Sequence, residues 1–190
     1  LAYLDELGLR EDTIVVFQSD HGHSTEERAH FGGGSSGPYR GAKFSLFEGG
    51  IRVPAIISWP GTLPQEKTIT SMAHSCDWLP TLADLAKIKP VKTRIDGKSL
   101  APLLLGKSDK GPHGVLHWQV GTGGRAQWAV RDGDWKLIGN VRDTSNPKSR
   151  GAAASKLFLS NIRTDPGELK NHAEQHPEIV KRLKSAHDSF

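Results

Sequence analysis

The sequence predicts an α/β fold: part of a mixed or parallel sheet flanked by helices, followed by a small C-terminal α+β subdomain with an antiparallel sheet. Three observations carry this expectation. Thr13-Ile14-Val15-Val16-Phe17 is a β-branched and aromatic run that stops at Ser19-Asp20, the pattern of a buried parallel strand opening onto a loop. Asp77 to Ala86 sets apolar residues at helical spacing. Trp128-Ala129-Val130-Arg131 and Trp135-Lys136-Leu137-Ile138 flank Asp132-Gly133-Asp134, a local hairpin signal.

In chain order, Leu1, Leu4 and Leu7 read as the tail of a helix that ends at Gly8. A chain that opens inside an element is expected to be part of a longer one. The lack of a basic or apolar leader in Leu1–Arg10 then carries no address. After the Gly- and Ser-rich loop 32–41, Val53-Pro54-Ala55-Ile56-Ile57 reads as a second strand of the same sheet, closed by Trp59-Pro60-Gly61. Asp77 suits an N-cap and Pro80 a first turn, with Leu79, Leu82, Ala83, Leu85 and Ala86 facing the sheet and Pro90 following the end. Around Gly106–Gly111 the composition shifts to Gly, Lys and Asp, so 1–105 and 106–190 are predicted as two parts. In the second, Lys156-Leu157-Phe158-Leu159 is a further strand, 140–155 a flexible loop, and Pro177–Phe190 a helix striped by Ile179, Leu183 and Ala186.

With 190 residues, 36% of them hydrophobic, the chain can bury a core of its own. No stretch approaches the ~20 apolar residues that cross a bilayer, so no membrane partner is expected. The net charge of +4 is spread without a basic run, and Lys87, Lys89, Lys92 and Arg94 lack interleaved aromatics; they read as a solvated loop, with no nucleic-acid partner expected. Cys76 is the lone cysteine, excludes an internal disulfide, and is expected to be a small buried residue at a helix start.

The chemistry concentrates after the first strand. Asp20-His21-Gly22-His23 presents a carboxylate and two imidazoles at a strand's carboxyl end, with Gly22 permitting a sharp turn. That is the donor set of a small metal site; the alternative is that Asp20 caps the next turn and the histidines are surface loop residues. Next come Gly37-Pro38-Tyr39-Arg40-Gly41-Ala42-Lys43 and Glu48-Gly49-Gly50-Ile51-Arg52-Val53-Pro54. In this order the three segments resemble the C-terminal half of sulfatases of the arylsulfatase type, within the alkaline-phosphatase-like superfamily. Asp77-Trp78-Leu79-Pro80-Thr81-Leu82, Asp96-Gly97-Lys98-Ser99-Leu100, the Arg131–Leu137 hairpin and Asp165-Pro166-Gly167-Glu168 extend the likeness over nearly the whole chain.

The resemblance implies that Asp20 and His21 help to hold a calcium ion and that Lys43 lies on the sulfate. Other members often carry Asn where this chain has His21, and an imidazole suits zinc or manganese better on chemical grounds. Arg40, Glu48 and Arg52 read as ion-pair partners that hold the loop. The proton for the leaving alcohol would come from His23, His30 or a histidine outside this chain. In that family a Cys or Ser in Cys/Ser-x-Pro-x-Arg becomes formylglycine, whose hydrate attacks sulfur. Cys76 lacks the pattern; Ser36-Gly37-Pro38-Tyr39-Arg40 satisfies the string but runs directly into the lysine segment, so it is read as coincidence.

The nucleophile and the paired N-terminal aspartates are therefore expected in a missing N-terminal part, and this chain alone is expected to be inactive. The expected substrate is a sulfated carbohydrate or an aryl sulfate, and resemblance implies a periplasmic, extracellular or lysosome-like setting. Two readings stand beside it: a phosphodiesterase or phosphatase relative, and a non-catalytic carbohydrate-binding module in which Trp118, Trp128 and Trp135 stack on sugars.

Overall fold

A computed structural model describes residues 1–27, 30, 32–89, 94–145 and 156–190. Pro90, Lys92 and most of the expected loop 140–155 lie outside the described residues. The chain forms two compact units, Leu1–Gln18 with Ala55–Gly114, and Ser19–Pro54 with Val115–Phe190. The sequence reading divides the chain between 105 and 106; here the later boundary is at Gly114, and Ser19–Pro54 joins the C-terminal unit. Long-range bonds hold that segment there: Leu46 N–H donates to Gln127 Oε1 at 3.1 Å, and the hydroxyls of Thr25 and Ser45 donate to the carbonyls of Thr144 and Arg142 at 3.0 and 2.8 Å.

The first unit holds α1 (Ala2–Glu6), β1 (Val15–Gln18), β2 (Ala55–Ser58), α3 (Trp78–Leu85) and α4 (Ala101–Leu104), while α2 (Glu48–Ile51) falls in the second. The expected helix tail at Leu1–Leu7 is α1, after which Gly8 turns with φ +65°. The expected parallel pairing is corrected: β1 and β2 run antiparallel, with Val15 opposite Ser58 and Phe17 opposite Ile56. Neither strand is buried on both faces. Phe17 and Ile56 share the outward face, 67% and 59% exposed, while Ile14, Ile57 and Trp59 pack inward on Leu63, Leu85 and Ala101.

Helix α3 begins where expected, but two roles differ. Leu79 is exposed and the helix buries Thr81 and Leu85 instead. Asp77 holds the expected N-cap position, but its side chain makes no cap bond to α3: its fully buried carboxylate accepts the backbone N–H of His74 (2.7 Å) and Lys98 (2.8 Å) and meets His113 Nε2 at 2.8 Å. This carboxylate ties the Asp-Trp-Leu-Pro-Thr and Asp-Gly-Lys-Ser segments together. Cys76, expected to be buried, is exposed in the short 3-10 turn Ser75–Asp77, because Asp77 takes the inward position.

The second unit is built on an antiparallel meander, β3 (Val115–Val120), β4 (Gln127–Asp132), β5 (Trp135–Gly139) and β6 (Leu157–Asn161). The predicted hairpin is β4–β5, with Asp132 opposite Trp135 and Gly133 at φ +57° in the turn. Its alternation sends Ala129 and Ile138 to one face, where they meet Leu46, Phe47 and Phe158, and Val130, Leu137 and Leu159 to the other. That second face is covered by α5 (Pro177–Asp188), through Leu183 with Ile179 and Ala186 as the periodicity predicts. The indole of Trp128 stacks on His187 at 4.0 Å, Trp135 packs against His176 at 4.9 Å, and Trp118 lies on the Phe47 core. These tryptophans are packed as part of the fold.

Candidate functional site

Three loops of the second unit are locked together through their backbones. Gly22 N–H donates to the Gly50 carbonyl (2.9 Å), Gly49 N–H to the Arg40 carbonyl (2.7 Å) and Lys43 N–H to the His23 carbonyl (3.0 Å). A Cβ on Gly22 would stand 1.9 Å from the Gly49 carbonyl oxygen, and one on Gly49 2.4 Å from that of Gly41. Only glycine permits either approach. Segments that lie apart in sequence, the Asp20–His23 turn, the Tyr39–Lys43 loop and α2, thus form one cluster.

At its head, Asp20 is exposed and His21 is partly buried. The His21 ring meets the Gly22 carbonyl through Nδ1 at 2.8 Å, and a carbonyl can only accept, so the proton sits on Nδ1. That leaves Nε2 facing Asp20 Oδ2, 3.1 Å away. In the neutral ring a lone pair then stands beside a carboxylate, an arrangement that a divalent cation takes and that the second nitrogen's hydrogen bond holds in tautomer. Among the described residues no group of three or more His, Cys, Asp or Glu side chains converges on a metal position. Asp20 and His21 are two neighbouring donors, short of the six to eight oxygens that calcium takes.

The Lys43 side chain is mostly buried, and its ammonium lies 3.2 Å from Glu26 Oε2, which also accepts from the Ser24 hydroxyl at 3.1 Å. Sequence reasoning missed Glu26; its one signal is an acidic residue three positions after His23. His23 is partly buried, and its Nδ1 is enclosed without a hydrogen-bond partner among the described residues. A cavity of about 480 Å³ opens beside it, walled by Ser19, His21–His23, Gly34–Ser36, Tyr39, Gly49 and Arg52–Pro54. His21 and His23 line this cavity; Asp20 and Lys43 are outside its walls. His30 lies in an exposed turn at φ +50°.

The arginines of these loops are braces, as the sequence reading expects. Arg40 pairs with Asp143 at 2.6 Å and lies over the Phe47 ring at 4.1 Å, and Arg52 lies over Tyr39 at 4.7 Å and 3.6 Å from Glu48. The Ser36 hydroxyl donates to the Tyr39 carbonyl at 2.8 Å, which turns it toward backbone, in keeping with a structural loop serine. Burial pushes the Glu48 carboxyl up, but Lys136, with Arg131 and Arg52, outweighs burial and holds it below its ordinary pKa. For Glu168 burial wins over Lys136, and the pKa is raised.

A family model described as Sulfatase matches residues 1–88. Over 98% of its length the chain is 43% identical to a steryl-sulfatase of Rattus norvegicus, and over 95% it is 34% identical to arylsulfatase A of Bos taurus. The chain spans 37% of the length of each of these relatives. A solved structure from work on the metabolism of multiple glycosaminoglycans by Bacteroides thetaiotaomicron is similar with a TM-score of 0.76 and 28% identity, covering 99% of this chain and 40% of that one.

Proposed function

Because the chain belongs to the sulfatase family, we propose that the whole protein hydrolyses sulfate esters and that this chain supplies one side of the reaction site. The observation that carries the reading is the Lys43 N–H bond to the His23 carbonyl inside the glycine-locked cluster, which ties the lysine to the Asp-His-Gly-His turn. Asp20 and His21 would hold a divalent cation, calcium by family resemblance, which when bound polarises the oxygens of the sulfate. The Lys43 ammonium binds a non-bridging sulfate oxygen and offsets charge as the ester bond breaks. Glu26 keeps that ammonium oriented between turnovers. The formylglycine nucleophile and the remaining metal ligands belong to parts of the protein outside this chain.

His23 is proposed to give the proton to the leaving alcohol. General acid assistance matters most when the leaving group is a poor one. His23→Gln is thus expected to slow a sugar sulfate by roughly 10² or more and 4-nitrophenyl sulfate far less. An equal loss on both substrates would assign the proton to another histidine.

Substrates of the sulfated-carbohydrate and aryl sulfate classes fit this reading best, and the glycosaminoglycan setting of the similar solved structure supports the first. Sterol sulfates join the panel because relatives are named steryl-sulfatases. Among the described residues no helix is long and apolar enough to cross a membrane, and a compartment outside the cytosol is proposed by family resemblance alone. The deciding experiment assays the intact protein, including the part outside this chain, on these sulfates and on phosphate esters in calcium buffer. Turnover of phosphates and of no sulfate would install the phosphatase reading. In the same assay Asp20→Ala is expected to raise the calcium concentration for half-maximal rate by roughly tenfold or more; an unchanged calcium dependence would remove Asp20 from the metal set.

A further inference from the structure

Two motifs of the C-terminal unit have no part in the chemistry above, yet each sends a fully buried charged side chain to one place. From β5, Lys136 places its ammonium 2.8 Å from Glu48 Oε1 and 3.0 Å from Glu168 Oε1. From the turn after β6, Glu168 accepts three donors: the Lys136 ammonium, the Glu48 backbone N–H at 2.5 Å and the Ser160 hydroxyl at 2.9 Å. All four side chains are at most 2% exposed. Glu168 also grips the neighbouring loop, since its carbonyl accepts from Arg40 Nη1 at 3.2 Å.

We infer that Lys136 and Glu168 are positioning residues for the reaction: through Glu48 they fix α2 to the antiparallel sheet, and α2 in turn fixes the Asp20–His23 turn and the Lys43 loop. The inference rests on the site proposed above. Stability alone is a poor account of the trio, because burying two carboxylates and an ammonium is costly and an apolar cluster of the same volume would serve the fold as well or better. What charged groups supply and an apolar contact does not is direction, and here the direction is read out along a short path. Glu48 opens α2, the next two residues are Gly49 and Gly50, and these make the bonds to Arg40 and Gly22 that align the cluster. Both sides of the site hang from this one helical turn.

The test uses the intact protein with Glu168→Gln, which keeps the shape and removes the charge that accepts three donors. Amide hydrogen exchange of Gly22, Lys43 and Gly49 is expected to rise by roughly tenfold or more while the β3–β4 amides stay protected. For a sulfate ester, kcat is expected to fall by about tenfold with KM within about twofold, because the loss is one of alignment. Unchanged exchange at those three amides, or a uniform rise across the whole sheet, would overturn the inference and leave the trio a fold element. Should Glu168→Gln fail to fold, Ser160→Ala removes one donor to the same carboxylate and is expected to give the same local pattern at smaller amplitude; a flat result there overturns it equally. The exchange arm needs no turnover, so an intact protein that hydrolyses no sulfate would sink the proposed function while the exchange still decides this point.

Discussion

Lys43→Ala in the intact protein is expected to lower kcat/KM for a sulfate ester by roughly two to three orders of magnitude, the scale on which removal of one preorganised electrostatic contact acts. The side chain is mostly enclosed, so its charge acts where water screens it little, and its backbone is pinned to His23. The expected loss resides chiefly in kcat, because charge on the transferred group grows toward the transition state. Lys43→Arg is expected to recover only part of it, since a planar fork does not replace a compact ammonium at the end of a flexible stem. Steady-state kinetics of the three proteins, with thermal unfolding to show that each is folded, decides the matter. A loss within about threefold would reduce Lys43 to the ion-pair partner of Glu26.

Lys136→Met is expected to cost about 3–5 kcal/mol of stability, the penalty for removing one partner from a buried ionic group. The two carboxylates left behind face each other without the ammonium between them, at 2% and 0% exposure. Denaturant unfolding reads this directly. If the penalty comes from unpaired charge, adding Glu48→Gln and Glu168→Gln to Lys136→Met recovers a large part of it, and a triple variant as unstable as the single one would refute that origin. The pH dependence has opposite signs for the two carboxylates of the native protein. Glu48 titrates below its unfolded value, so its contribution is present above the ordinary carboxylate range and is lost as pH falls through the lowered folded value. Glu168 titrates above its unfolded value, so the stability linked to it is greatest below that value and declines as pH rises through the raised one. In Lys136→Met, Glu168 loses the cation that opposes its burial while Glu48 keeps Arg131 and Arg52, so the variant is expected to regain ground on mild acidification through Glu168.

The sequence makes the second unit legible where local physics decides. Asp132-Gly133-Asp134 between two alternating apolar runs specifies the β4–β5 hairpin, and the Ile179, Leu183, Ala186 stripe specifies the buried side of α5. Strand β3 has a signal of its own: Leu116, Trp118 and Val120 alternate with His117 and Gln119, the period-2 pattern of a half-buried strand. Pairing direction was not legible at β1, because an apolar run that ends in Ser-Asp serves a parallel or an antiparallel neighbour equally well. Helix α2 is hidden by its own composition, as Gly49 and Gly50 are poor helix formers, and the turn exists because close backbone approach and the Glu48 anchor hold it. The candidate site was legible as three motifs, which the structure gathers into one cluster. The bonds from Lys136 and Glu168 to Glu48 span 88 and 120 residues, and no local pattern reveals contacts of that range.

The contrast among the glycines of the site bears on how its selectivity can be altered. At positions 22 and 49 even one added methyl group meets a carbonyl, whereas a Cβ at Gly33, one residue from the cavity wall, meets nothing within 4 Å among the described residues. Laboratory evolution toward new substrates therefore has two kinds of ground to work on. Randomising position 33 is expected to redraw the rim of the cavity at little cost to folding, while libraries at 22 or 49 are expected to consist mostly of proteins in which the three loops no longer lock together.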